Sequence, residues 1–176
     1  MAILGYDTNG ASNFSIGNAM VGCRFTAAAG GDITDIHAFV TPKTASTQFA
    51  FAIYLDSDDT LLASTTPQTT STTGEHEESA SISVSITNGV TYILCVWGSE
   101  GPPAGTSNVA YDAGDTAQSS SVTDTVPFSP SNPVTWTANQ NNKCSIWAVY
   151  TPVGGETNIQ INDINDIFVS IVNPVS

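Results

Sequence analysis

A period of two in the apolar residues runs through most of this chain. Alternating or continuous apolar residues predict β-strands in these segments: 20–26, 33–41, 48–55, 80–86, 90–97 and 144–150. The alternation is most regular around Ile82, Val84 and Ile86, where serines fill the positions between them. Such a strand packs one face on a core and turns the other face to water.

Local patterns refine this picture. Segment 48–55 places large residues such as Phe51 on one face and Ala50 and Ala52 on the other, which predicts the close approach of another layer. Segment 90–97 is apolar on both faces, as expected of a central strand. Asn88-Gly89 lies between two predicted strands and predicts a β-hairpin.

Together the strands predict an all-β fold. Clusters of Gly, Pro, Asn, Asp and Ser separate them, and no stretch carries the apolar stripe of an amphipathic helix. About nine or ten short strands in one chain predict an antiparallel β-sandwich, most economically a jelly roll. We expect residues 1–153 to form this domain, with the long polar segment 113–142 as an extended surface excursion.

A separate C-terminal segment follows Gly154-Gly155. Its last part is apolar on both faces if it is extended, and such a strand needs cover on both sides. We therefore expect residues 154–176 to be a hinge and an extended C-terminal strand arm for subunit contact. The predicted contact residues are Ile167, Phe168, Val169, Ile171 and Val172. Either a neighbouring subunit or an edge of the arm's own sheet would supply the cover.

The charge of the chain excludes some classes of partner. Only 3 Lys and Arg stand against 16 Asp and Glu, which gives a formal net charge of -13. Because phosphate binding requires cations, we expect no nucleic-acid partner and no attraction to anionic membranes. Ser and Thr make up 43 of the 176 residues, a composition that favours strands and turns over helices.

The sequence contains neither an apolar stretch long enough to span a bilayer nor a basic segment followed by an apolar one near its start. We therefore expect no membrane insertion and no recognisable signal peptide. If Met1 is native, the protein is either intracellular or leaves the cell by another route, such as packaging in a virus particle followed by cell lysis, which would place it on a virion. Removal of a signal before Met1 would instead permit an extracellular surface location.

Chemically reactive side chains are few. The three cysteines lie far apart in apolar segments, which favours buried free thiols: Cys23, Cys95 and Cys144. One disulfide is the alternative if two of these strands face each other. His37 lies in a predicted strand, and His76 lies in an acidic run that would serve as a metal site or simply as an exposed loop. No nucleophile elbow, phosphate loop or zinc-hydrolase motif is present, so we expect no enzyme activity.

Calcium is the metal that the sequence favours most. Asp56, Asp58 and Asp59 place hard oxygen ligands on one turn. The turn lacks the glycine and the distal glutamate of the helix-loop-helix calcium loop, and turn-forming aspartates are the alternative interpretation. We expect no other cofactor.

Sugar binding requires an exposed aromatic face beside amides and carboxylates. Trp136 and Asn139 lie in a polar segment that fits this requirement, and Tyr111 and Asp112 would contribute from a strand end. The alternative is that Trp136 anchors its own loop by packing back on the sandwich. The other two tryptophans lie in apolar strands and are predicted to be core residues: Trp97 and Trp147.

Several segments together resemble a jelly-roll domain that recurs in bacterial extracellular proteins, polysaccharide-processing enzymes and phage or prophage structural proteins. The matching segments are 5–8, 23–26, 33–36, 52–63, 89–94, 111–114 and 145–150. The resemblance implies a carbohydrate-binding or surface-attachment module. The acidic run 75–78 departs from the family pattern, in which an aromatic residue is common, and this favours a self-standing structural protein.

The sequence therefore leads to one main hypothesis and two alternatives. The main hypothesis is a structural protein of a virus-like or phage-like particle surface, serving as a decoration, fibre or adhesion subunit and assembling through its C-terminal strand. Its partners would be further copies or other particle subunits. The alternatives are a carbohydrate-binding module that takes a surface glycan and a calcium-dependent extracellular filament or surface-layer subunit.

Overall fold

The computed structural model describes residues 1–42, 44–99, 107–123 and 128–153. This part of the chain contains strands and no helix, and hence no helix able to cross a membrane. The strands are β1 (Ala2–Gly5), β2 (Ser12–Ser15), β3 (Ala19–Thr26), β4 (Gly31–Thr41), β5 (Gln48–Leu55), β6 (Thr60–Ser64), β7 (Gln68–Thr69), β8 (His76–Ile86), β9 (Thr91–Gly98), β10 (Asn108–Ala113), β11 (Ser119–Thr123), β12 (Ala138–Gln140), β13 (Asn142–Cys144) and β14 (Ile146–Pro152).

These strands form two seven-stranded antiparallel sheets. The front sheet has the order β1-β14-β4-β10-β13, with β8 paired to β4 and β2 paired to β10. The back sheet has the order β12-β11-β3-β9-β5-β6, with β7 paired to β5. From β3 to β5 and again from β7 to β11, each connection crosses from one sheet to the other, the alternation expected of a jelly roll. The predicted all-β sandwich is confirmed.

The main apolar core lies between the two sheets. Inward-facing side chains from both sheets meet there, among them Ile33, Ile36, Phe51, Leu94 and Ile146. Burial of each large side chain stabilises the fold by about 1.5–3 kcal/mol before entropy is subtracted. The alternation that predicted the strands is thus the pattern that fills this core.

A second apolar cluster lies on the other side of the back sheet. Ala50 and Ala52 belong to it, together with Trp97 and Val134. This confirms the layer predicted opposite the two alanines. It also explains why β9, which pairs with β3 and β5, is apolar on both faces: it is a central strand with cover on both sides.

The described parts of the segment predicted as a surface excursion, 113–123 and 128–142, contain more regular structure than expected. They contain β11 and β12, which extend the back sheet, and Val134 within them is buried. The apolar pattern does not predict β11 because its buried positions are serines. Ser119 and Ser120 are buried, and their hydroxyl groups donate hydrogen bonds to β12. Short strands of this kind raise the number above the nine or ten that the sequence predicted.

The predicted hairpin at Asn88-Gly89 is wrong. The dipeptide does form a turn, and Gly89 has a φ of 77°, a backbone conformation that glycine adopts without strain. However, β8 before it belongs to the front sheet and β9 after it to the back sheet. The turn therefore joins the two layers of the sandwich instead of two paired neighbours.

Candidate functional site

The strand β1 forms one side of the front sheet. It pairs with β14 over the residues from Ala2, opposite Tyr150, to Gly5, opposite Trp147. Among the described residues no strand pairs with its other side. An unpaired strand edge presents backbone N–H and C=O groups that can accept a further strand.

Exposed apolar side chains concentrate at the same place. Met1 is 97% exposed, Ile3 is 48% exposed and Val153 is 70% exposed. The antiparallel register of β1 and β14 brings these residues to one corner of the sheet, because Ala2 lies opposite Tyr150 and Ile3 opposite Val149. We call the edge of β1 with Met1, Ile3 and Val153 the apolar edge.

The strand β8 on the opposite side of the front sheet differs in its surface chemistry. Glu77 is exposed near its start, and serines occupy its outward positions further along, for example Ser81 and Ser85. Charged and polar residues on an outer strand oppose the addition of another strand. The apolar edge at β1 is therefore the better acceptor of the two.

A cluster of aromatic rings lies on the outer face of the front sheet. Trp147 stacks on His37 with 5.2 Å between ring centroids. The Phe39 ring also contacts Trp147, in a tilted arrangement with 5.1 Å between the two ring centroids. His37 Nδ1 is 2.7 Å from Glu77 Oε1, an ion pair when the ring is protonated. Trp147 is buried as predicted, but it belongs to this outer layer and not to the core between the sheets.

Asp112, one of the predicted glycan residues, is held by hydrogen bonds at the end of β10. The Tyr6 hydroxyl donates to its Oδ2 at 2.5 Å, and the Ala11 amide donates to its Oδ1 at 2.9 Å. The bond from Tyr6 lowers the pKa of Asp112, and the same bond raises the pKa of Tyr6, because it favours a charged carboxylate and a protonated phenol. Lys143 Nζ lies 4.2 Å above the Tyr6 ring. Tyr111 packs edge-on against Phe14.

Trp136 lies on the back sheet, away from the strand that carries Asp112. Its ring contacts Tyr54 edge-on with 5.8 Å between centroids, and its Nε1–H donates to Asp59 Oδ1 at 2.9 Å. Asn139 is on β12 and accepts a hydrogen bond from Ser120 through its Oδ1. The four predicted glycan residues thus divide between the front sheet and the back sheet.

The three aspartates predicted for calcium each have another partner. Asp56 accepts a hydrogen bond from Arg24 Nε at 2.7 Å, Asp58 accepts one from the Thr60 amide, and Asp59 accepts the one from Trp136. These contacts agree with the alternative interpretation, in which the three aspartates stabilise the turn and its neighbours. Across the described residues, no group of three or more His, Cys, Asp or Glu is placed to hold a metal ion.

His76 lies at the start of β8 rather than in a loop. Its Nδ1 is 2.8 Å from the Gly74 carbonyl oxygen, and its Nε2 is 2.7 Å from Glu78 Oε1. Thr70 Oγ1 lies 3.2 Å from the same Nε2. The ring therefore connects β8 to the preceding turn.

The predicted contact residues of the arm, from Ile167 to Val172, lie outside the described residues.

Two packed antiparallel sheets define the class of this protein as an all-β sandwich. Residues 7–147 match the family described as Domain of unknown function (DUF4082), and the chain belongs to this family. No curated protein matches the chain. Since the family description names no function, the function has to be inferred from the surface of the sandwich.

Proposed function

We propose that the protein is a non-enzymatic structural subunit that assembles when the C-terminal arm of one copy adds as a strand to β1 of a neighbouring copy. The apolar edge carries this proposal, since it combines exposed apolar side chains with a strand edge that no other strand of the described residues covers. The setting that fits best is the surface of a virus-like or phage-like particle. The jelly-roll domain that the sequence resembles recurs in phage or prophage structural proteins as well as in bacterial extracellular proteins and polysaccharide-processing enzymes, and the acidic run 75–78 favours the self-standing structural proteins among them.

Donor and acceptor match in chemistry. The residues from Ile167 to Val172 are apolar apart from Ser170, so a strand formed by them would bury side chains on both faces. Main-chain hydrogen bonds to β1 would supply affinity, as in other cases of strand addition. Ile3 and Met1 would lose water from their exposed surfaces in the same step.

Charge favours β1 over β8 as the acceptor. The segment 154–176 carries Glu156, Asp163 and Asp166 and contains no Lys or Arg. The strand β1 has no charged residue, whereas Glu77 lies near the start of β8. Like charges on paired strands are destabilising, so an acidic arm pairs better with the uncharged strand.

The first experiment compares the full chain with a variant that ends at Val153, using light scattering coupled to size-exclusion chromatography. We expect the full chain to form oligomers and the shortened variant to be monomeric. In the full chain, Ile3→Lys should also give monomers, because a lysine on an outer strand opposes strand addition. Leu62→Lys is the matched control, since Leu62 is 39% exposed on β6 of the back sheet. This control should assemble as the wild type does.

A mixing experiment separates docking on a neighbour from docking on the arm's own sheet. The full-length Ile3→Lys variant can donate an arm but not accept one, and the shortened variant can accept one but not donate. A mixture of the two should therefore form a complex, although each is monomeric alone. Equal monomeric masses for the full chain and the shortened variant would refute the proposal. A monomeric full chain whose arm resists protease would indicate docking on its own sheet.

A further inference from the structure

Cys23 and Cys144 approach each other across the interior of the sandwich. The Cys144 amide donates a hydrogen bond to Cys23 Sγ at 3.0 Å, and Cys23 Sγ–H donates to the Asn142 carbonyl at 3.5 Å. Cys23 is on β3 of the back sheet and Cys144 is on β13 of the front sheet. Both side chains are fully buried in the main core, and all three cysteines are free thiols, as the sequence predicted.

The third cysteine lies on the other side of the back sheet. In the pairing of β3 with β9, Cys23 is opposite Leu94 and Gly22 is opposite Cys95. Neighbouring positions on a strand point to opposite faces, so Cys95 faces away from Cys23. Cys95 accordingly packs in the second apolar cluster with Trp97. The fold therefore separates one facing pair from one isolated thiol.

We propose that Cys23 and Cys144 are a redox-modifiable pair that forms a disulfide between the two sheets when a low-molecular-weight disulfide is present. The thiolate of one cysteine attacks the reagent, forms a mixed disulfide and releases one reagent thiol. The second cysteine then attacks the protein sulfur of the mixed disulfide, closes the bond and releases the second reagent thiol. Two electrons pass to the reagent, and the two protons lost by the protein thiols end on the two released thiols.

The closed fold protects the pair, so the reaction passes through local opening or takes place during folding. Contact with the Cys23 thiol, together with burial, raises the pKa of Cys144 well above its ordinary value, and this keeps the group in its less reactive form. The strand β13 is the part best able to open, because it pairs with β10 over only three residues, whereas β3 is paired with both β9 and β11.

The bond should stabilise the sandwich by restricting the unfolded chain. It would close a loop of about 120 residues, a length for which a stabilisation at the upper end of the usual range is expected. The free Cys95 would not change, since it lies on the other side of the back sheet. An oxidising location outside the cell is where such a bond persists.

The test treats the full chain with oxidised glutathione, both folded and during refolding from urea, and maps disulfides by mass spectrometry of peptides. The wild type and Cys95→Ala should both show the Cys23–Cys144 bond with loss of two hydrogens. Cys144→Ser, checked for folding by circular dichroism, should show none. Oxidation should raise the Tm of Cys95→Ala by about 8–20 °C. Thiols that remain free in both treatments, or a bond that involves Cys95 in the folded protein, would overturn the proposal.

Discussion

Replacing Trp136 by alanine removes the side chain that fastens the segment before β12 to the back sheet. The edge contact with Tyr54 contributes about 0.5–1.5 kcal/mol beyond burial of area. The half-exposed hydrogen bond to Asp59 contributes about 1 kcal/mol. Burial of most of the indole contributes about 1–2 kcal/mol. We therefore expect the free energy of unfolding to fall by about 2.5–4.5 kcal/mol.

Urea unfolding followed by far-ultraviolet circular dichroism measures this loss, and the Tm should fall by about 5–18 °C. Trp136→Phe keeps an aromatic ring but removes the Nε1–H donor, so it should cost about 1 kcal/mol. Thr135→Ala is the matched control in the same segment, because Thr135 is exposed, and it should change stability by less than about 0.5 kcal/mol.

A glycan array measured on the same variants distinguishes an anchor from a sugar platform. If Trp136 is an anchor, Trp136→Ala lowers stability whether or not any glycan binds. Unchanged stability of Trp136→Ala, accompanied by loss of glycan binding, would refute the anchoring role and favour the carbohydrate-binding alternative.

Two further changes test other parts of the sandwich. Gly22→Ala should lower the free energy of unfolding by about 1–3 kcal/mol in urea titrations. The reason is that the added Cβ would lie 2.5 Å from Ile93 Cγ2 and 2.7 Å from Cys95 Sγ. A Gly22→Ala variant as stable as the wild type would contradict the packing described. Tyr6→Phe should raise the pKa of Asp112 in carbon-13 NMR titrations, since the phenol no longer stabilises the carboxylate. The lowered pKa of Asp112 stabilises the fold above the carboxyl's unfolded-state pKa, and this stability is lost as the pH falls through the folded-state pKa. The raised pKa of Tyr6 stabilises the fold below the phenol's unfolded-state pKa, and this stability is lost as the pH rises through the folded-state pKa. An unchanged titration of Asp112 in Tyr6→Phe would contradict this coupling.

The strands of the core could be predicted because burial on one face imposes alternation along the chain. Ile82, Val84 and Ile86 occupy inward positions of β8 as their spacing indicated. The same period does not indicate which sheet a strand joins, and for this reason the sequence predicts a hairpin at Asn88-Gly89 although the dipeptide connects the two sheets. The apolar pattern does not predict the serine-rich strand β11, because the buried side chains of this strand are hydroxyls that form hydrogen bonds.

The candidate sites depend on contacts between residues far apart in the sequence. The hydrogen bond from Trp136 to Asp59 spans 77 residues, and no local pattern relates the two. Likewise, the apolar strand around Trp147 predicted burial but not the side of the sheet on which the ring lies. The separation of Cys95 from Cys23 and Cys144 also follows from pairing register and not from spacing along the chain.

The pairing of β1 with β14 determines how mechanical force would pass through a chain of subunits linked as proposed. Tension from the arm would enter a subunit at Val153, directly after β14, and would leave through whatever strand is bound to β1. Because β1 and β14 are adjacent, the load would cross one ladder of four residue pairs, from Ala2–Tyr150 to Gly5–Trp147. The back sheet and the main core would carry little of it, so a filament under strain would be limited by that ladder and by the docked arm while the rest of each sandwich stays intact.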